Sequence, residues 1–206
     1  MSTTLVIAMW IAASCISAEL LGYGLHRLLH SGIIPALSRS HMKHHLVLYG
    51  PLQKQRSATY QDATDESISI GNIGVEWLAP SGLLIITVLA GFWFFHVRWI
   101  YQLFYFVTTL GWSFLMFSWL HDVMHVEGHW LVKNRLLRRW FLSARKLHDI
   151  HHYAFNDIGL MNRNFGIGLF FFDVIFGSLA HEVSAFNESG YRAAQKRFKS
   201  VTGDRC

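Results

Sequence analysis

Three long apolar stretches dominate the pattern of the chain: Leu5 to Leu25, Val75 to Phe95 and Trp99 to Leu120. Each approaches the roughly 20 apolar residues that a helix needs to cross a bilayer core. The first carries one acid, Glu19. Only His96-Val97-Arg98 separates the last two, which predicts a tight antiparallel helix pair. The polar remainder falls into two segments, 26 to 74 and 121 to 206. Within the second, Arg135 to Lys146 mixes basic, aromatic and aliphatic residues as in an amphipathic helix lying on lipid headgroups. Phe165 to Ala180 is too short to span and holds Asp173, so it is expected to lie in the interface or re-enter it. The expected fold class is all-α, an integral-membrane helical bundle with a histidine-rich cap, forming one domain over residues 1–206.

Charge adds an orientation. Arg27, Arg39, Lys43, Lys54 and Arg56 follow the first stretch and the basic residues from Lys133 onward follow the third, whereas only Arg98 occupies the short turn. Because cytoplasmic segments retain Lys and Arg, the N-terminus is expected outside, with both polar segments as a cytoplasmic cap on a multi-pass protein. A bacterial inner membrane and the endoplasmic reticulum fit equally. The net charge of +5 reflects that face, and no nucleic-acid partner is expected. With only Cys15 and Cys206 there is no disulfide framework.

Histidine changes the picture most. There are 13, and most fall into four groups. His26 and His30 stand four residues apart, which on a helix stacks them on one face with Cβ atoms about 6 Å apart. His41, His44 and His45 follow at i, i+3 and i+4, a triplet that can serve one metal or straddle two. The second half repeats this with His121, His125 and His129 at four-residue steps, then His148, His151 and His152. Burying so many imidazoles near hydrocarbon costs free energy for each unpaired nitrogen, which coordination to a shared cation offsets. Ten histidines exceed one tetrahedral site and point to two ions with about five nitrogens each. Imidazole suits zinc, copper, iron and nickel; open positions for dioxygen favour two iron ions, with zinc able to replace them in purified protein. Zinc-protease chemistry is not expected, because Arg27 and Asp122 stand where a general-base Glu would follow the first His.

Acids near these rings are Glu19, Asp122, Glu127, Asp149, Asp157 and Asp173, with Asp122 and Asp149 foremost as groups holding a ring by its second nitrogen. Asn162 and Asn164 can reach the site or serve as turn residues.

The series H-x-x-x-H, H-x-x-H-H, a further pair and H-x-x-H-H resembles the fatty acid hydroxylase and sterol desaturase superfamily, over roughly Glu19 to Leu179. Asn164-Phe165-Gly166 and Phe172-Asp173-Val174-Ile175-Phe176-Gly177-Ser178 look like that family's closing signature. The resemblance implies metal ligands His26, His30, His41, His44, His45, His148, His151 and His152, plus a pair from the third cluster. Aligned to Tyr-Asp-x-x-His-x-x-x-His the pair is His125 and His129, with His121 in the Tyr position; a carotenoid-hydroxylase His-Asp start takes His121 and His125 instead. The first alignment is preferred, because carotenoid hydroxylases usually space paired histidines by four residues and lack the closing segment. His121, Asp122, Asp149 and Asn164 stand as alternative ligands or outer neighbours; His96 and His181 fall outside the pattern.

The resemblance further implies a membrane monooxygenase that hydroxylates or desaturates a fatty acyl chain or sterol, with dioxygen as co-substrate. Larger members commonly have four spans, against three clear ones here. No dinucleotide-binding or Cys-cluster motif is present, so a separate electron donor is implied, a ferredoxin or a b-type cytochrome with its reductase. Trp10, Phe106, Trp112 and Phe117 are candidates to line a lipid pocket. The rival readings are a carotenoid hydroxylase and a non-enzymatic zinc-binding membrane sensor or transporter.

Overall fold

Helix α1 (Thr3–Ser31) starts where Ser2 Oγ accepts the Leu5 amide and stops at Gly32, whose φ of 67° a side chain would oppose. It belongs to a computed structural model that describes residues 2–60, 75–182 and 185–202. After α1 come α2 (Pro35–Lys43), a π turn at His44–Leu48, α3 (Val75–Phe94) and α4 (Trp99–Ser113). A second π segment, Phe114–Leu120, carries α4 into the short α5 (His121–Met124). Then follow α6 (Arg138–His151), α7 (Phe171–Ile175), α8 (Glu188–Arg197) and α9 (Lys199–Thr202). Among the described residues there is no strand, only isolated bridges such as Arg56 with Val126. The 61–74 part of the first polar segment, the side chains of 75–81 and Cys206 lie outside the described residues.

Two helices, Thr3–Ser31 and Trp99–Met124, are long and apolar enough to cross a membrane, and Gly82–Phe94 adds a shorter apolar helix. Their outward faces are apolar: Ile16, Ile86 and Leu110 are all more than half exposed. Only 22% and 28% of the most apolar windows of the two long helices are buried, which is not the pattern of core helices in a soluble protein.

The close helix pair differs from expectation. Among the described residues α4 packs most intimately against α1, while α3 reaches it chiefly through Phe92 against Tyr105 and Phe106. The cause is a stripe of small buried residues on α1, Ser14, Ala18 and Gly22, at four-residue steps. At Gly22 a Cβ would strike the Phe117 ring, so a larger residue there would displace that ring. Continued by four-residue steps, the same stripe becomes His26 and His30, so the helix contact aims both rings inward.

Two apolar clusters flank the histidines. One joins Met116, Leu120 and Met124 to Phe141 and Ile167; the other joins Met42, Leu46 and Phe155 to Ala194 and Phe198. The expected amphipathic helix begins at Arg138 rather than Arg135, and its inner face is protein core: Phe141, Ala144, Arg145, His148 and His151 are buried. Exposed Leu136 and Leu137 precede it. Within the 165–180 segment, α7 buries Asp173 and exposes Phe171, Val174 and Ile175.

Candidate metal centre

Ten buried histidines meet in two groups of five: His26, His30, His41, His45 and His151, and His44, His121, His125, His148 and His152. Within each group one ring nitrogen per residue lies within 4.8 Å of all the others. The pattern is reciprocal. Each half of the chain contributes its i, i+4 pair and the first and last members of its triplet to one group, and sends the middle triplet member to the other. His44 and His151 are the exchanged rings. Successive residues on a helix differ by about 100° in direction, so neighbours such as His44 and His45 face different centres. The groups adjoin, with the ring centroids of His45 and His152 3.9 Å apart.

Nitrogen spacing fits coordination. His30 Nε2 lies 2.8 Å from His41 Nε2 and 2.9 Å from His151 Nε2; His45 Nε2 is 3.1 Å from His41 Nε2, and His148 Nε2 is 3.0 Å from His125 Nε2. An imidazole nitrogen has either one proton or one lone pair, so His30 Nε2 cannot form two good hydrogen bonds at once. With metal–nitrogen bonds of about 2.0–2.1 Å, ligands at right angles sit about 2.9 Å apart and tetrahedral ones about 3.4 Å apart. The observed contacts match the right-angle value, that of five- or six-coordinate sites.

Four rings are oriented by backbone carbonyls. His26 Nδ1 donates to Phe165 O at 2.6 Å and His151 Nδ1 to Arg163 O at 2.7 Å; His125 Nδ1 donates to Lys54 O at 2.7 Å and His152 Nδ1 to Tyr49 O at 2.9 Å. A proton on Nδ1 leaves each Nε2 lone pair facing inward. Of these, His26 Nε2 and His152 Nε2 meet no protein donor, and His44 and His121 have no partner at either nitrogen. Each such buried orphan costs about 1–3 kcal/mol, so several together rival the 5–15 kcal/mol stability of a whole domain. A cation in each group would supply the missing partner. Burial also holds His44, His45, His148 and His152 well below the usual imidazole range, which keeps them neutral and able to coordinate.

The closing segment is what positions Phe165 O. Asp173 accepts from Phe165 N, Gly166 N and Ser178 Oγ, each at 2.7 Å, and folds 164–178 back against α1. A Cβ on Gly166 would come within 2.8 Å of Asp173 Oδ2 and 2.6 Å of Leu169 O. Asn164, at φ 54°, donates to Leu147 O and Ala180 O and accepts from Ala180 N, bracing α6 rather than facing the rings.

The third cluster differs from the preferred alignment: His121, not His129, joins His125. The helix ends at Met124, and Gly128 at φ 67° turns the chain, so the third four-residue step leaves the helical face. His129 instead sits beside Trp119 and accepts weakly from Leu131 N at 3.5 Å. The acids also play other parts. Asp122 Oδ1 is 3.7 Å from His121 Nδ1, beyond a hydrogen bond, and Asp149 accepts from Gln55 Nε2. Glu19 accepts from Trp112 Nε1 at 2.7 Å and Asp157 from Asn187 Nδ2. Glu127, Asn162, His96 and His181 are exposed.

Two neighbours of the second group had no signal in the residue pattern. Arg145 is buried and spans Val123 O, Val126 O and Gln55 Oε1, tying down the end of α5 beside His125. Tyr49 stacks on His125 at 4.2 Å, and its phenol, pushed up to about 12 by burial and then by nearby Asp122, stays protonated. No protein-family model, curated protein or solved structure matches this chain.

Proposed function

We propose that the chain is a membrane-embedded dinuclear oxygenase, with iron as its metal, that hydroxylates or desaturates a lipid. The observation that carries this reading is the pair of adjoining five-histidine groups interlocked through His44 and His151. A structural zinc is closed by four ligands and usually takes cysteine; ten imidazoles, four of whose nitrogen contacts have right-angle spacing, suit two metals with positions to spare. At 29 residues α1 is about 43 Å long, more than the roughly 30 Å hydrocarbon core, so His26 and His30 in its last turns can lie just beyond the lipid. The bias of Lys and Arg supports a cytoplasmic position for that end.

When bound, iron supplies the activation of dioxygen with electrons from an external donor. The chain's own part is to present neutral rings and to fix four of them through the carbonyls of Tyr49, Lys54, Arg163 and Phe165. A second reading, carotenoid hydroxylation, gains from the placement of His121 beside His125; the Asn164–Gly166 bracket and Asp173 weigh for the acyl or sterol enzymes.

The test is metal analysis of freshly purified protein, followed by reconstitution in membranes with a chemical reductant under isotopically labelled oxygen. Two iron ions per chain and label in an acyl, sterol or carotenoid product are expected, the product choosing between the readings. Tightly held zinc with no oxygen uptake after iron loading would defeat the proposal and leave metal sensing or transport.

A further inference from the structure

A cavity of about 220 Å³ opens beside His30 of the first group, between the end of α1 and the closing segment. Arg27 and Ser31 form its α1 wall, Leu160, Phe165 and Phe176 its apolar walls, and no acid lines it. Arg27 carries five N–H donors, yet its hydrogen bond to protein is a long one, from Nη1 to the Tyr23 hydroxyl at 3.5 Å. Among the described residues no carboxylate pairs with it. Tyr23 is fixed in turn. Ser178 Oγ donates to Asp173, so the Tyr23 hydroxyl donates to Ser178 at 3.0 Å and its lone pair faces Arg27. The guanidinium, on an exposed residue at the cavity wall, thus reaches this hydroxyl without being neutralised. Two more cations lie near its wall without lining it: Arg163 donates to Gly177 O, and a Cβ on Gly32, the residue after Ser31, would come within 3.0 Å of Arg197 Nη1.

The volume is below the roughly 300–1,000 Å³ of pockets that enclose a whole ligand, so the cavity suits one end of a molecule. Phe176 of the cavity wall closes α7, which exposes Phe171, Val174 and Ile175; all four are at least half exposed. The geometry points to a subsite for the anionic head of an amphiphile, a carboxylate held by Arg27, with its hydrocarbon chain along the α7 face. This rests on the lipid-oxygenase reading and deepens it, since it selects acidic acyl substrates over neutral sterols and carotenoids.

The test is equilibrium binding of labelled palmitate to the metal-loaded protein in neutral detergent, with hexadecanol and inorganic phosphate as competitors. Hexadecanol competes about 10- to 100-fold more weakly than palmitate, the scale of a hydrogen bond to a charged group, and phosphate competes weakly because it lacks a chain. Arg27→Gln reduces palmitate to the level of hexadecanol with bound metal unchanged, and Arg27→Lys recovers part of the preference. Equal binding of palmitate and hexadecanol by the unaltered protein overturns the inference, as does a carboxylate preference that survives Arg27→Gln. Phosphate competing as well as palmitate also overturns it, by showing a site for free anions. Oxygen uptake is recorded on the same samples, so failure of the oxygenase reading is seen separately from failure of the headgroup site.

Discussion

In the first histidine group, His26 and His151 are held by carbonyls from the second half of the chain, Phe165 and Arg163; in the second, His125 and His152 are held by carbonyls from the first half, Lys54 and Tyr49. The donor plan is the same, five imidazoles with one ring exchanged, but the surroundings differ. His30 of the first group lines a cavity with an unneutralised arginine. The second group is backed by the Tyr49 ring and by Arg145, with Gln55 and Asp149 beyond. Equal ligand sets therefore do not make equal sites: a small polar group can come up to the first, whereas the described neighbours of the second include an aromatic ring and a buried arginine.

The exchange of rings gives the largest expected effect. His151→Ala and His44→Ala should each remove about half the bound metal and lower any oxygen-dependent turnover at least about 100-fold, because the lost ligand is completed by no other side chain. The revealing variant is His151→Ala, whose metal loss should fall on the group otherwise supplied by the first half; metal content per chain, resolved by chelator titration, checks it. Retention of both metals would undo the reciprocal assignment.

Next in size are two positioning residues on opposite sides of the comparison. Asp173→Asn should weaken metal in the first group about 10- to 100-fold by loosening Phe165 O, and Arg145→Met should do the same to the second by freeing the end of α5. Competition with a chelator would show one tight and one weakened site in each variant; equal weakening of both would merge the two environments. The smallest effect belongs to His129→Ala. It should leave metal content unchanged and alter stability by about 1 kcal/mol, since a long contact to Leu131 N and partly exposed ring contacts with Trp119, Trp130 and Phe141 are lost.

The clustering of the histidines was largely legible because a helix converts three- and four-residue spacing into a shared face, and nine of the ten grouped histidines are among those chosen from that spacing and the resemblance. The choice of His129 over His121 comes from the family alignment, which sets His121 in a Tyr position; Gly128 turns the chain and takes His129 off the helical face. The oriented rings were legible in only one respect. A search for acids beside histidines finds Asp122 and Asp149, but the partners are carbonyls, which every residue carries and no residue type announces. The role of Asp173 as the clasp under Phe165 and Gly166, and that of Arg145 under Val123 and Val126, depend on contacts between segments far apart in the chain. The close pairing of α1 with α4 was written in Ser14, Ala18 and Gly22, though the short turn at 96–98 drew attention to α3 instead.

The interlocked donors carry a consequence for biogenesis. When the first triplet leaves the ribosome, its own centre still lacks a ring that emerges more than a hundred residues later, and the later centre cannot close without His44. On the dinuclear reading, the full five-nitrogen set of either centre closes only when both ends of the cluster are present, and bound metal then fastens them together. A polypeptide severed between the two triplets would yield two incomplete cups, each refilled only by re-association with its counterpart.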